Sequence, residues 1–184
     1  MVSYRITKFN PQKRNDDGSY MDSSEWTAIS DIGKPKFNNP TYEEYEKIET
    51  AYVDTVKIIL NEMNVHFLKV DSIELYDTKK DFKKHEKNGR LKNIIVDFDK
   101  EVKILKNGLK LDLIQLDKII RLILRETVWM LLVNENIEIR FGFDYYMYIK
   151  CIDIKPSTIA HIEKSGLFVE ANIEQRQFII KSEV

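Results

Sequence analysis

Ile137-Glu138-Ile139-Arg140-Phe141-Gly142-Phe143-Asp144-Tyr145-Tyr146-Met147-Tyr148-Ile149-Lys150-Cys151 decides the fold. Every odd position is apolar or aromatic. The even positions are Glu138, Arg140, Gly142, Asp144, Tyr146, Tyr148 and Lys150. Successive strand side chains point to opposite faces, so this pattern means a sheet with one buried face, lined by the odd residues. A straight strand of this length would span ~50 Å, longer than usual. A bend, bulge or hairpin is therefore expected near Gly142.

Upstream lies the most apolar stretch of the chain. Leu113, Leu116, Ile119, Ile120, Ile123, Leu124, Thr127, Val128 and Leu131 surround most of a helix circumference. The pattern predicts a central helix over 113–132, capped by Asp112 and closed by Asn134 and Asn136. Charges at Asp112, Asp117, Lys118, Arg121, Arg125 and Glu126 interrupt 109–133, which argues against a membrane span.

A second long helix opens after Asn39-Pro40-Thr41. Thr41 followed by Glu44 is a capping box, in which hydroxyl and carboxylate each satisfy a free backbone N–H. Tyr45, Ile48, Tyr52, Val56, Ile59 and Met63 recur at helical spacing as one buried stripe. Residues 3–9, 26–32, 67–76, 91–98, 102–105, 167–171 and 177–181 read as strands. Residues 78–87 read as a short basic helix, and Pro156 starts another short helix that Gly166 stops. Asn15-Asp16-Asp17-Gly18-Ser19 is a turn signal. No repeat or linker divides residues 1–184, so one domain is expected. Strands grouped between two long helices, without β-α-β alternation, indicate α+β. The expectation is a mostly antiparallel sheet packed against two long helices and one or two short ones.

Composition narrows the function classes. The chain has 184 residues, 43% hydrophobic and 11% aromatic, enough for a packed core. Charged residues make up 32%, yet the net charge is -1. Neither half is an electrostatic footprint for nucleic acid or anionic membrane. Cys151 stands alone, so no intrachain disulfide forms, which favours a reducing compartment. The first residues lack the apolar core of a signal peptide. A cytoplasmic location is expected.

Catalytic patterns are sparse. His66, His85 and His161 are far apart, and no Cys pair or His-Glu-x-x-His occurs, so no metal or cofactor is expected. Asp16-Asp17-Gly18 lacks the spaced carboxylates of a calcium loop. There is no Gly-x-Ser-x-Gly and no glycine-rich phosphate loop. Cys151 falls on the apolar strand face, where a thiol is structural. Asp97, Asp99, Glu101 and Lys103 could form a metal-dependent nuclease site, as acid and acid-x-Lys on adjoining strands. The same spacing recurs at Asp77-Lys79, Asp81-Lys83 and Asp153-Lys155, and a solvated turn explains it more simply.

Three features carry binding chemistry. Arg121 and Arg125 lie one turn apart on an apolar helix. Buried guanidinium groups take a carboxylate partner, with Asp144, Asp153 and Glu126 as candidates, or a bound anion. Tyr146 and Tyr148 should emerge together beside Arg140 and Asp144, and Tyr with Arg makes interface hot spots. The same tyrosines could stack nucleobases, with the basic 79–92 segment on phosphates. Glu43, Glu46 and Glu49, at the start of the first helix, could form an outer acidic patch, although helix-dipole complementarity also accounts for them.

Trp26-Thr27-Ala28-Ile29-Ser30-Asp31-Ile32-Gly33, Leu124-Arg125-Glu126-Thr127-Val128-Trp129, residues 141–148 and Gly166-Leu167-Phe168-Val169-Glu170 carry a resemblance. In order and spacing they resemble a group of small, uncharacterised bacterial proteins of about this length. Some of that group look like immunity proteins for polymorphic toxins. The resemblance covers most of the chain and brings no catalytic or binding residues with it. It implies a small intracellular binder that neutralises a cognate toxin or effector. With the residue reading, it favours a non-enzymatic protein with a protein partner, and binding of nucleic acid or a nucleotide as the alternative.

Overall fold

The computed structural model describes residues 1–16, 20–75 and 104–172. Among the described residues, seven strands form one sheet: β1 (Val2–Thr7), β2 (Phe67–Leu75), β3 (Lys110–Asp112), β4 (Val128–Asn134), β5 (Ile137–Phe141), β6 (Met147–Cys151) and β7 (Phe168–Ala171). The order is β3-β2-β4-β5-β6-β1-β7, with these pairings all antiparallel. Three α-helices of the described residues accompany it: α1 (Tyr42–Glu62), α2 (Leu113–Leu124) and α3 (Pro156–Lys164). The protein is α+β with an antiparallel sheet, as the grouping of strands predicts. Among the described residues, no helix is long and apolar enough to cross a membrane.

The long alternating segment is a hairpin. β5 and β6 pair from Ile137 opposite Cys151 to Phe141 opposite Met147, and the chain turns over just past Gly142, between Phe143 and Tyr146. Ile137, Ile139, Phe141, Met147, Ile149 and Cys151 are buried in one core with Met130 and Leu132 of β4 and Tyr4 and Ile6 of β1. Burying each such aliphatic side chain contributes ~1.5–3 kcal/mol.

α1 begins as its capping box requires. The Glu44 amide donates to Thr41 Oγ1 at 3.1 Å, and the Thr41 amide donates to Glu44 Oε2 at 2.7 Å. Tyr45, Tyr52, Val56 and Ile59 are buried, while Ile48 and Met63 at the stripe's margin are half-buried. At the other end, Glu62 caps α3. It accepts the Lys155 amide at 3.0 Å and the Thr158 hydroxyl. One helix terminus thus sets the start of the next.

Three sequence expectations need correction. The helix expected over 113–132 starts as read, with Asp112 accepting the Ile114 and Gln115 amides at 2.9 and 2.8 Å. It ends at Leu124. Glu126 takes a left-handed φ of 56°, the Glu126 amide donates to Ile123 O, and the Thr127 amide donates to Leu122 O at 3.0 Å. That is a Schellman stop. Val128, Met130 and Leu132 are buried while Trp129, Leu131 and Val133 are half-buried, so the second half of the apolar run follows strand period as β4.

Residues 26–32 form no strand. The Asp31 carboxylate accepts the Thr27 and Ala28 amides at 3.0 and 3.1 Å, curling the chain into a 3₁₀ turn at Ile29–Asp31. A side-chain acceptor has taken donors that a ladder would need. Phe143 breaks the odd-position rule and is 77% exposed. The strand expectations at 91–98 and 177–181, the helix at 78–87, the basic 79–92 segment and the 97–103 acid cluster lie outside the described residues. Of 102–105 only Ile104 and Leu105 are described, and neither is in a strand.

Candidate interaction surface

Arg121 and Arg125 project from the end of α2 towards α1, and the group between them is Glu49. Arg125 donates from Nε to Glu49 Oε1 and from Nη2 to Oε2. Arg121 donates from Nη1 to Glu49 Oε2 at 2.8 Å and from Nε to Asp117 Oδ1 at 2.9 Å. Asp117 also accepts from Lys57. A five-residue chain of alternating charge results. Burial opposes the charge on Arg125, but hydrogen bonding and attraction from Glu49 outweigh it and raise its pKa above the ordinary guanidinium range.

This resolves the arginine pair as an internal ion-pair site whose carboxylate is Glu49 rather than Asp144, Asp153 or Glu126. Glu49 therefore leaves the expected outer patch, since its side chain is fully buried. Its carboxylate fills the fork that an anion would have entered. Just beyond, the Tyr45 and Tyr145 hydroxyls both donate to Leu124 O, at 3.3 and 3.0 Å. Burial pushes both phenols well above their ordinary range. The start of α1, the β5–β6 turn and the end of α2 thereby meet at one carbonyl.

The opposite sheet face carries the surface residues. Register aligns Ser72, Leu131, Arg140, Tyr148, Arg5 and Glu170 in one row across β2, β4, β5, β6, β1 and β7. The Arg140 guanidinium lies 5.1 Å from the Tyr148 ring centroid, and the Tyr148 and Tyr146 rings are 6.5 Å apart. Arg5 and Arg14 each place a guanidinium 5.4 Å from the Tyr146 ring. Arg5 donates twice to Glu170, at 2.6 and 2.7 Å, and Arg14 donates to the same carboxylate at 3.2 Å. Donating these hydrogen bonds to Glu170 raises the Arg5 pKa. Cation–π contact and charge pairing hold each side chain in one orientation.

Of the residues expected to act together, Arg140, Tyr146 and Tyr148 do meet. Asp144 sits beyond them in the β5–β6 turn, exposed, with φ 57°. Glu43 and Glu46 lie at the start of α1, on the helix side of the sheet, exposed and half-buried respectively. The expected site thus divides into a cationic–aromatic face and an acidic helix start. Arg5, Arg14 and Glu170 join the face from remote parts of the chain. Alternating β1 marks Arg5 as outward-facing, but no local signal says which strand lies beside it.

Chemically, the face offers guanidinium and phenol groups. Cys151 is fully buried on the other side, with its thiol pushed up to about 11 by burial and by nearby Asp153. Among the described residues, no group of three or more His, Cys, Asp or Glu is placed to hold a metal. Comparison of the chain with protein-family models, with curated proteins and with solved structures finds no match in any of the three.

Proposed function

We propose that this protein is a cytoplasmic, non-enzymatic binder that docks on a protein partner, as an immunity protein covers the active site of its cognate toxin. The observation that carries this reading is the cluster of Arg140, Tyr148, Tyr146 and Arg5, in which Glu170 fixes Arg5. Tyr and Arg held in fixed rotamers are what interface hot spots require, because little side-chain entropy remains to be lost on binding. Base stacking is less well supported. Two guanidinium groups already crowd the Tyr146 ring, and Glu170 neutralises the charges that would meet phosphates.

The test is an affinity capture of the full chain from host lysate, with and without nuclease, followed by titration of the purified partner. A stoichiometric protein that survives nuclease and loses ~30-fold in affinity against Tyr148→Ala supports the proposal. Recovery of nucleic acid alone, or a partner bound equally well by folded Tyr146→Ala and Tyr148→Ala variants, sinks it at this face.

A further inference from the structure

The β5–β6 turn combines two features that ordinary hairpins avoid. Its central residues, Asp144 and Tyr145, both have left-handed backbones, with φ 57° and 61°. The Tyr146 amide closes the turn by donating to Phe143 O at 3.2 Å, and the Gly142 amide donates to Tyr146 O at 2.7 Å. Such turns favour Asn-Gly, because a side chain is costly there. A tyrosine is among the least suited residues. The other feature is Phe143, which leads into the turn and holds its ring in solvent at 77% exposure.

Tyr145 explains how the turn holds. Its ring is buried against Trp26 at 5.2 Å, Tyr45 at 6.0 Å and Tyr52 at 6.0 Å. Its hydroxyl donates to Leu124 O, and its backbone carbonyl accepts the Tyr52 hydroxyl. The Trp129 indole donates to Phe141 O at 2.7 Å just below the turn. The unfavourable backbone is therefore fixed from inside the core. The result is a stiff tip presenting one phenyl ring and one carboxylate.

We infer that this tip is the anchor of the partner interface: Phe143 enters an apolar pocket on the partner protein, and Asp144 pairs with a cation at the pocket's rim. The inference rests on the protein-docking reading and adds the element that enters the partner. Strain maintained at a turn and an aromatic ring left in water are both unfavourable in the free protein, and docking of a preorganised ring offsets them. The partner of matching chemistry is a protein with a concave, cation-rimmed cleft, such as an enzyme that handles an anionic substrate.

A photoreactive phenylalanine analogue placed at 143, and separately at exposed Ile114 as a control, identifies the partner from host lysate by crosslinking to the full chain. The purified partner is then titrated with unmodified variants. Phe143→Ala and Asp144→Lys are each expected to weaken binding ~30-fold, the first without changing the melting temperature and the second with only the small drop that a lysine in left-handed backbone brings. Tyr52→Phe removes the hydroxyl that holds the turn, which also bonds the Lys8 backbone and the Thr7 side chain at the end of β1. As a positioning change it is expected to slow association several-fold, although Tyr52 is buried out of the partner's reach. A partner bound unchanged by Phe143→Ala and Asp144→Lys, but lost with Tyr148→Ala, overturns the anchor and leaves docking through the sheet face intact. Absence of any protein crosslink from 143, with a Tyr148-dependent partner still captured from lysate, likewise overturns the anchor alone, whereas crosslinking to nucleic acid only overturns both.

Discussion

Arg125 grips Glu49 through two parallel hydrogen bonds, Nε to Oε1 at 2.5 Å and Nη2 to Oε2 at 2.6 Å, with the two side chains 1% and 0% exposed. Breaking such a pair from one side leaves a buried charge without its counter-ion. Glu49→Gln is expected to lower the unfolding free energy by ~3–5 kcal/mol in urea titrations at neutral pH. Removing both charges together, as Glu49→Leu with Arg125→Met, is expected to recover most of that loss. A single-variant cost below ~1 kcal/mol would show that water reaches the pair, as it reaches exposed pairs.

Asp117 controls part of the acid response. Burial pushes its carboxyl up, but hydrogen bonds from Lys57 and Arg121 outweigh that and hold it below the ordinary value of 3.8. Asp31 behaves likewise, with the Thr27 amide and Lys34 overcoming burial. A carboxyl with a lower pKa in the folded state stabilises fully above its unfolded pKa and loses that contribution as pH falls through the folded one. The unfolding free energy is expected to fall below about pH 4, and Asp117→Asn to flatten part of that fall. An unchanged acid slope in Asp117→Asn would assign the response to other carboxyls.

Cys151 is expected to resist thiol reagents in the folded protein. The thiolate is the reactive form, and burial, assisted by Asp153, pushes this thiol up to about 11. A disulfide reagent at mildly alkaline pH should label the denatured chain completely and the native chain only at its unfolding rate. Rapid native labelling would mean that β6 opens locally.

Gly142 has little room for a side chain. A Cβ there would stand 3.1 Å from Tyr148 Cε2. Gly142→Ala is expected to displace the Tyr148 ring, changing the near-UV circular dichroism and costing ~1 kcal/mol of stability. If that spectrum is unchanged, the ring has enough freedom to absorb the methyl group.

Local physics made much of the fold legible. Thr41 with Glu44, and Asp112, mark helix starts because capping is settled within four residues. The alternation from Ile137 to Cys151 marks extended chain with one buried face, because the strand period requires no knowledge of partners, whereas the choice among bend, bulge and hairpin is made by the pairing of β5 with β6. The end of α2 was not legible. Leu, Ile and Val satisfy helix and strand patterns alike in a continuous apolar run, and Glu126 bears no mark of a left-handed stop. Trp26 and Ile29 likewise read as strand, since nothing adjacent to them announces that Asp31 will take their neighbours' amides.

The sequence by itself determined the fold class, the helix starts, the two-faced extended pattern over 137–151 and the outward placement of Arg140, Tyr146 and Tyr148, all consequences of period and capping. Only the tertiary structure decided that Glu49 is buried between Arg121 and Arg125, that Arg5 and Glu170 complete the tyrosine face, and that Phe143 is turned into solvent. The physical reason is range. Period and caps act within a few residues, whereas Glu49 meets Arg125 from 76 positions away and Arg5 meets Glu170 from 165. Those meetings depend on which strands become neighbours and how helices settle across them, and the backbone at Asp144 and Tyr145 is held by a core assembled from all of these parts.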